Sequence, residues 1–265
     1  MSHTVLTSSR AAVVFGRGGF LLHSFDPGAP SLFGEGKRTV TLTGYILAEG
    51  STPAARRDFL TRARGLLLRV AADTEGFTLT HEGRSMALRC TEAPQFSTDA
   101  AFAAGDAAFF TLRAEGRDGI CFSGPSVSAA GRGVLGGVRF PHAITEETVF
   151  ASMVRDGEMS VYNGGDCPCG FVAAVTAEGG GLDAFSLRLD GDVITVSHPL
   201  AEGESVVIDT RPGQKSVTAD GASILEQTDW QSVFFSLQPG ENRIGWSAVG
   251  GGRAAVRLTF TPLYL

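Results

Sequence analysis

Polar and apolar side chains alternate along KRTVTLTGYILA, residues 37–48, with the two-residue period of a strand. That places Val40 and Leu42 on one face, with Tyr45 a candidate for the same face. The period then changes. In STPAARRDFLTRARGLLLRVAAD, a turn of about 100° per residue brings Ala55, Phe59, Ala63, Leu66, Leu67 and Val70 onto one stripe. A helix over about 52–71 follows. Thr52 is placed to cap it, and Pro53 sits at its first position, where a missing N–H costs nothing. Arg57, Arg62, Arg64 and Arg69 fall off the apolar stripe and form a solvated outer face. Leu68 also projects to that polar side, a leucine framed by arginines, as at the edge of a subunit contact.

After the helix, GFTLTHEGRSMALRC predicts a hairpin turning at Glu82-Gly83, and AAFFTLRAEG a further strand. A sheet with one helix packed across it therefore accounts for residues 1–123. From Ser123 to Arg139 the chain reads SGPSVSAAGRGVLGGVR, with few bulky apolar residues, which predicts a Gly/Ser-rich linker over 124–140. Beyond it no helical period returns. AFSLRLDGDVITVS, ESVVIDTRPGQKSVTADG, SVFFSLQPGENRIGWSA and AAVRLTFT read as short strands. Asp190-Gly191, Pro212-Gly213, Asp220-Gly221 and Pro239-Gly240 separate them as turn signals. The expectation for 141–265 is an antiparallel β-sandwich, and for the whole chain a mainly β fold.

Composition adds little that conflicts. Of 265 residues, 35 are glycine, scattered as many tight turns require. A net charge of −6 argues against a nucleic-acid binder, which needs a basic face for phosphates. No segment approaches the ~20 continuous apolar residues of a membrane span, and AAVVFGRGGFLL is too interrupted to be a signal peptide. Four cysteines, Cys90, Cys121, Cys167 and Cys169, are too few and too unevenly spaced for a disulfide scaffold. Reduced thiols in a protein made in the cytoplasm are expected.

The densest cluster of chemistry-bearing residues is VYNGGDCPCG, Val161 to Gly170. Zinc sites space paired cysteines two to four residues apart and need two more ligands. Here one residue separates the thiols, and the five histidines are isolated in sequence. A redox pair places its cysteines at a helix N-terminus, whereas GFVAAVTA after this pair is strand-like. The stretch therefore reads as a turn, with no metal site. FGEGKRT lacks the first glycine of a phosphate loop, since Ser31 stands there, and Arg38 follows Lys37. GPSVS around Ser126 lacks the second glycine of a nucleophile elbow, and Glu146-Glu147 reads as surface. No catalytic constellation, cofactor fingerprint or metal set emerges, so an enzyme is not expected.

Taken in order, several second-half elements resemble the C-terminal domain of distal tail proteins of long-tailed bacteriophages. They are Asn163 to Asp166 with Gly165, the strand Ile208-Asp209-Thr210, the hairpin at Asp220-Gly221, and the run from Phe235 through Pro239-Gly240 to Asn242. The first element carries one extra glycine, and the first half, Leu42 to Cys90, is similar to the family's strand, helix and hairpin order. The resemblance implies an N-terminal β-sandwich with a helix and a C-terminal galectin-like sandwich. It also implies a hexameric ring, closed by the N-terminal strands and helix face, at the distal end of the tail tube. Such a ring joins the tube protein to the tail-tip protein or baseplate and carries receptor-binding parts. The protein would be assembled in the host cytoplasm and end at the virion tail tip. The resemblance carries no catalytic residue; Asn163 and Asp166 would bond turn amides. The alternative is a carbohydrate-binding, lectin-like module using Trp230 or Trp246, although the His-Asn-Arg set of galectin sugar sites is not recognisable.

Overall fold

The computed structural model describes residues 4–28, 38–97, 106–116, 121–132 and 156–265. The chain divides into two compact units, Met1–Gly124 with Tyr264–Leu265, and Pro125–Leu263.

In the first unit the strands are β1 (Thr4–Ser8), β2 (Ala12–Val14), β3 (Phe20–Asp26) and β4 (Thr39–Leu47). Helix α1 (Pro53–Ala71) follows, then β5 (Phe77–His81), β6 (Arg84–Cys90), β7 (Gln95–Ser97), β8 (Ala107–Gly116) and β9 (Phe122–Ser123). The main sheet runs β2-β1-β5-β6-β8-β4-β3, antiparallel throughout, with β7 against β8 and β9 against β6. Thr52 caps α1 as its sequence requires: its hydroxyl accepts the Ala55 N–H at 3.2 Å. Leu60, Ala63, Leu67 and Val70 are the helix residues driven into the core, against Leu6, Val40, Leu42, Ile46 and Phe110 of the sheet. Burying Leu60, Leu67 or Val70 removes apolar surface worth about 1.5–3 kcal/mol each from water, and the Ala63 methyl adds less.

Two expectations are corrected here. Leu60, absent from the predicted stripe, is buried, while Ala55, Phe59 and Leu66 lie at its half-exposed margins. Tyr45 does not share the face of Val40 and Leu42. Strict alternation along β4 sends it to the opposite side, where its ring packs edge-on to Phe109 at 5.3 Å and His23 at 5.6 Å.

The second unit holds β10 (Val127–Arg132), β11 (Gly157–Asn163), β12 (Phe171–Glu178), β13 (Leu182–Leu189), β14 (Asp192–Val196) and β15 (Ser205–Asp209). It continues with β16 (Ser216–Ala219), β17 (Ala222–Ser223), β18 (Gly240–Gly250) and β19 (Arg253–Phe260). Two antiparallel sheets, β10-β19-β12-β15-β16-β17 and β11-β18-β13-β14, enclose one core that includes Phe171, Leu187, Ile208, Phe235, Ile244, Trp246 and Leu258.

The stretch expected as a linker begins with a strand. All six residues of β10 pair with β19. Its small side chains serve a close approach rather than looseness: a Cβ at Gly131, like one at Gly157 on β11, would overlap the buried Trp246 ring. Residues 133–140 of that stretch lie outside the described residues, as do Ser31, Gly36, Lys37, Glu146 and Glu147. SVFFSL, expected as a strand, forms none. Val233 bonds to Val193 on β14 and Leu237 to Cys169 ahead of β12, so the segment passes from one sheet to the other and pairs at single residues. Its apolar residues Phe235 and Leu237 are nevertheless core.

Candidate functional site

The loop from Asn163 to Gly170 is built around one side chain. Asn163 ends β11 opposite Gly240 and is 1% exposed. Its Oδ1 accepts the Gly165 N–H at 3.0 Å, and its Nδ2 donates to the carbonyls of Cys167 at 3.1 Å and Leu237 at 3.2 Å. Gly165 is needed for space, since a Cβ there would run into the Leu263 backbone. The same Leu263 carbonyl accepts from the amides of Asp166 and Cys167 at 2.8 and 3.1 Å. Cys169 then exchanges two backbone hydrogen bonds with Leu237, at 3.0 and 2.9 Å.

Further along, Phe171 N–H donates to the Thr210 hydroxyl at 2.9 Å, and Thr210 N–H returns a bond to the Phe171 carbonyl at 2.9 Å. Asp209, next to it, accepts from Arg211 Nε at 3.0 Å and from the Arg211 backbone N–H at 2.9 Å. These bonds from the Arg211 guanidinium hold the Asp209 carboxyl below its ordinary value of 3.8, burial opposing them. Asn242 closes the Pro239-Gly240 turn: its Oδ1 accepts Gln238 N–H, and its Nδ2 donates to the Gln238 and Gly240 carbonyls.

Most of the singled-out residues therefore come together in chains of contact. Leu237 joins Asn163 to Cys169, β11 pairs Asn163 with Gly240 and Val161 with Asn242, and Phe171 leads to Thr210 and Asp209. Asp220-Gly221 stands apart as the two-residue turn of the β16–β17 hairpin, with φ of 47° and 78°. Leu68 is 40% exposed on α1 and lines a groove of about 290 Å³ whose other walls are small apolar residues such as Ala71 and Pro94 together with the polar Thr91 and Glu92. Trp246 is 1% exposed, in the core; Trp230 is 88% exposed. Sequence reasoning missed the parts played by Leu237 and Leu263, which contribute only backbone groups, and placed Thr210 in a motif strand without reading its hydroxyl's bond to Phe171.

This corner is equipped to hold loops. None of the four cysteines is in a disulfide, and burial pushes the Cys169 and Cys90 thiols up to about 11, so both are protonated and poorly nucleophilic near neutral pH. Among the described residues, no group of three or more His, Cys, Asp or Glu is placed to hold a metal ion. No described helix is long and apolar enough to cross a membrane.

Residues 164–264 match the family model of the siphovirus-type tail component, C-terminal domain. No curated protein matches the chain. Among solved structures, the fold is similar to that of the phage SPP1 Dit protein, with a TM-score of 0.59 and 15% identity over 93% of this chain and 94% of that one. That protein is described as a paradigm of the hub adsorption apparatus in phages infecting Gram-positive bacteria. A chain of the phage P2 baseplate, in its activated conformation with calcium, aligns over 98% of both chains at 7% identity, but its TM-score of 0.38 is too low to bear on the fold.

Proposed function

We propose that the chain is the distal tail protein of a long-tailed phage, a reading supported by the match of residues 164–264 to the family model of the siphovirus-type tail component, C-terminal domain. It is a structural part of the tail rather than a catalyst. The observation that carries this reading is the family match, supported by a likeness to SPP1 Dit that spans both units in chain order. In this role the first units of six copies close head to tail into a ring at the end of the tail tube, a contact repeated around an axis. The second units, built as galectin-like sandwiches, extend from that ring toward the tail-tip protein, baseplate or receptor-binding proteins. The chain thus ends up in the virion tail tip after assembly in the host cytoplasm. The Asn163 corner serves the role mechanically, because a module that transmits load between tube and tip needs its loops fixed to its sheets.

The test is the native mass of the purified protein together with negative-stain images. Six copies of a 27.7 kDa chain give about 166 kDa and a particle with a central hole. A monomer that also fails to join its tail-tube protein overturns the reading.

A further inference from the structure

Trp230 presents nearly its whole indole to water, 88% exposed, and the chain holds it there firmly. Segment 227–233 runs along the free edge of β14. Thr228 bridges Val196, Asp229 N–H donates to the Thr195 carbonyl at 2.9 Å, and Val233 N–H donates to the Val193 carbonyl at 2.9 Å. Between these anchors the chain bulges outward in a four-residue turn closed by Ser232 N–H to the Asp229 carbonyl at 2.9 Å. Asp229 Oδ1 accepts Gln231 N–H at 2.8 Å, and the Ser232 hydroxyl accepts Thr195 N–H at 3.0 Å. Trp230 is the first central residue of this braced turn. A large apolar side chain is thus pre-positioned at almost full exposure, the arrangement in which a partner recovers most from covering it.

The surroundings narrow the partner. Beside the turn lies a groove of about 330 Å³ lined by Asp192, Thr195, Asp229, Gln231, Ser232 and Val233, with Gly191 and Val193 completing it. Carboxylate, amide and hydroxyl groups dominate, and no basic side chain lines it. That lining repels phosphates and other anions, and Val193 and Val233 are the apolar side chains among its carboxylate, amide and hydroxyl groups. A neutral pyranose has the matching chemistry: a face of C–H groups to cover an indole, and a belt of hydroxyls that donate to carboxylate and amide oxygens.

We propose that Trp230, with Asp192, Asp229 and Gln231, forms a subsite for a neutral hexopyranose glycan at the β14 edge of the second unit. The subsite is independent of ring formation. The Asp229 oxygen not engaged with Gln231, the Asp192 carboxylate and the Gln231 amide receive the sugar hydroxyls, while the indole covers the ring face.

The full chain should be titrated with a panel of neutral di- and trisaccharides, gluco-, galacto- and manno-configured in both anomeric linkages, following tryptophan fluorescence. With Trp246 buried, a change in the emission of the exposed indole reports on Trp230. At least one configuration is expected to shift it with a Kd of about 1 mM or tighter. Trp230→Ala should weaken binding, read by calorimetry, at least about tenfold. Trp230→Phe should retain part of the affinity and Asp192→Asn should weaken it several-fold, all with an unchanged melting temperature. The proposal is overturned if no member of the panel binds, or if Trp230→Ala binds as well as the parent. It is equally overturned if Trp230→Ala leaves sugars unaffected and instead releases a tail protein, which would make the tryptophan a protein anchor.

Discussion

Asn163 and Asp209 show how single side chains fix the corner of the second unit. Asn163 satisfies three backbone groups from two chain segments while almost wholly buried, so truncating it strands them without water. Asn163→Ala is expected to cost about 2–4 kcal/mol by urea denaturation; a loss under about 0.5 kcal/mol would mean that the loop holds without it. Asp209 sets a pH dependence. Its carboxyl titrates lower folded than unfolded, so its contribution is fully present above the ordinary value of 3.8 and disappears as pH falls through the depressed folded value. Wild type should therefore lose stability more steeply than Asp209→Asn on acidification below 3.8, in urea midpoints taken down the pH scale. Equal slopes would refute the assignment. Of these details the sequence displayed only the local half. Asn163 beside two glycines is readable as a turn, and its Oδ1 does bond the amide two residues on. Its bond to Leu237, 74 residues away, was not readable, because a backbone carbonyl has no residue-type signature.

At the scale of elements, local chemistry was most legible where backbone conformation demands particular residues. Glu82-Gly83, Asp190-Gly191 and Asp220-Gly221 all take positive φ at both positions and close two-residue hairpins. Gly191→Ala, at φ 98°, should cost about 1 kcal/mol through its backbone alone, since a Cβ there meets nothing. Thr52→Ala should cost about 1 kcal/mol by removing the cap of α1. Thermal melts of both variants check these values; a Gly191→Ala protein as stable as its parent would show that the turn relaxes freely. Elements whose existence depends on a distant partner were less legible. The glycine-rich β10 looked like a linker until β19 was there to pair with it. SVFFSL has strand composition, but it crosses between sheets and cannot form a ladder.

For the whole molecule, the exposed Leu68 sits on a groove lined mainly by small apolar residues together with Thr91 and Glu92. Leu68→Glu leaves the core untouched and should change stability by less than about 0.5 kcal/mol, yet it places a second carboxylate in that groove beside Glu92. If the groove lies in the proposed subunit contact, native mass spectrometry will show the variant shifted from the ring to smaller species; an unchanged ring removes Leu68 from the contact. The sequence by itself determined the mainly β class, the capped helix, the tight turns and the order of motifs that points to a tail component. Each of these rests on chemistry within a few residues, namely a period, a cap or a positive φ. Only the tertiary structure decided that Trp246 is core while Trp230 faces water, that Leu60 is buried and Tyr45 lies on the far face, and that Asn163 reaches Leu237. Burial and long-range pairing are set by what packs against a residue from elsewhere in the chain, and a local pattern does not carry that information.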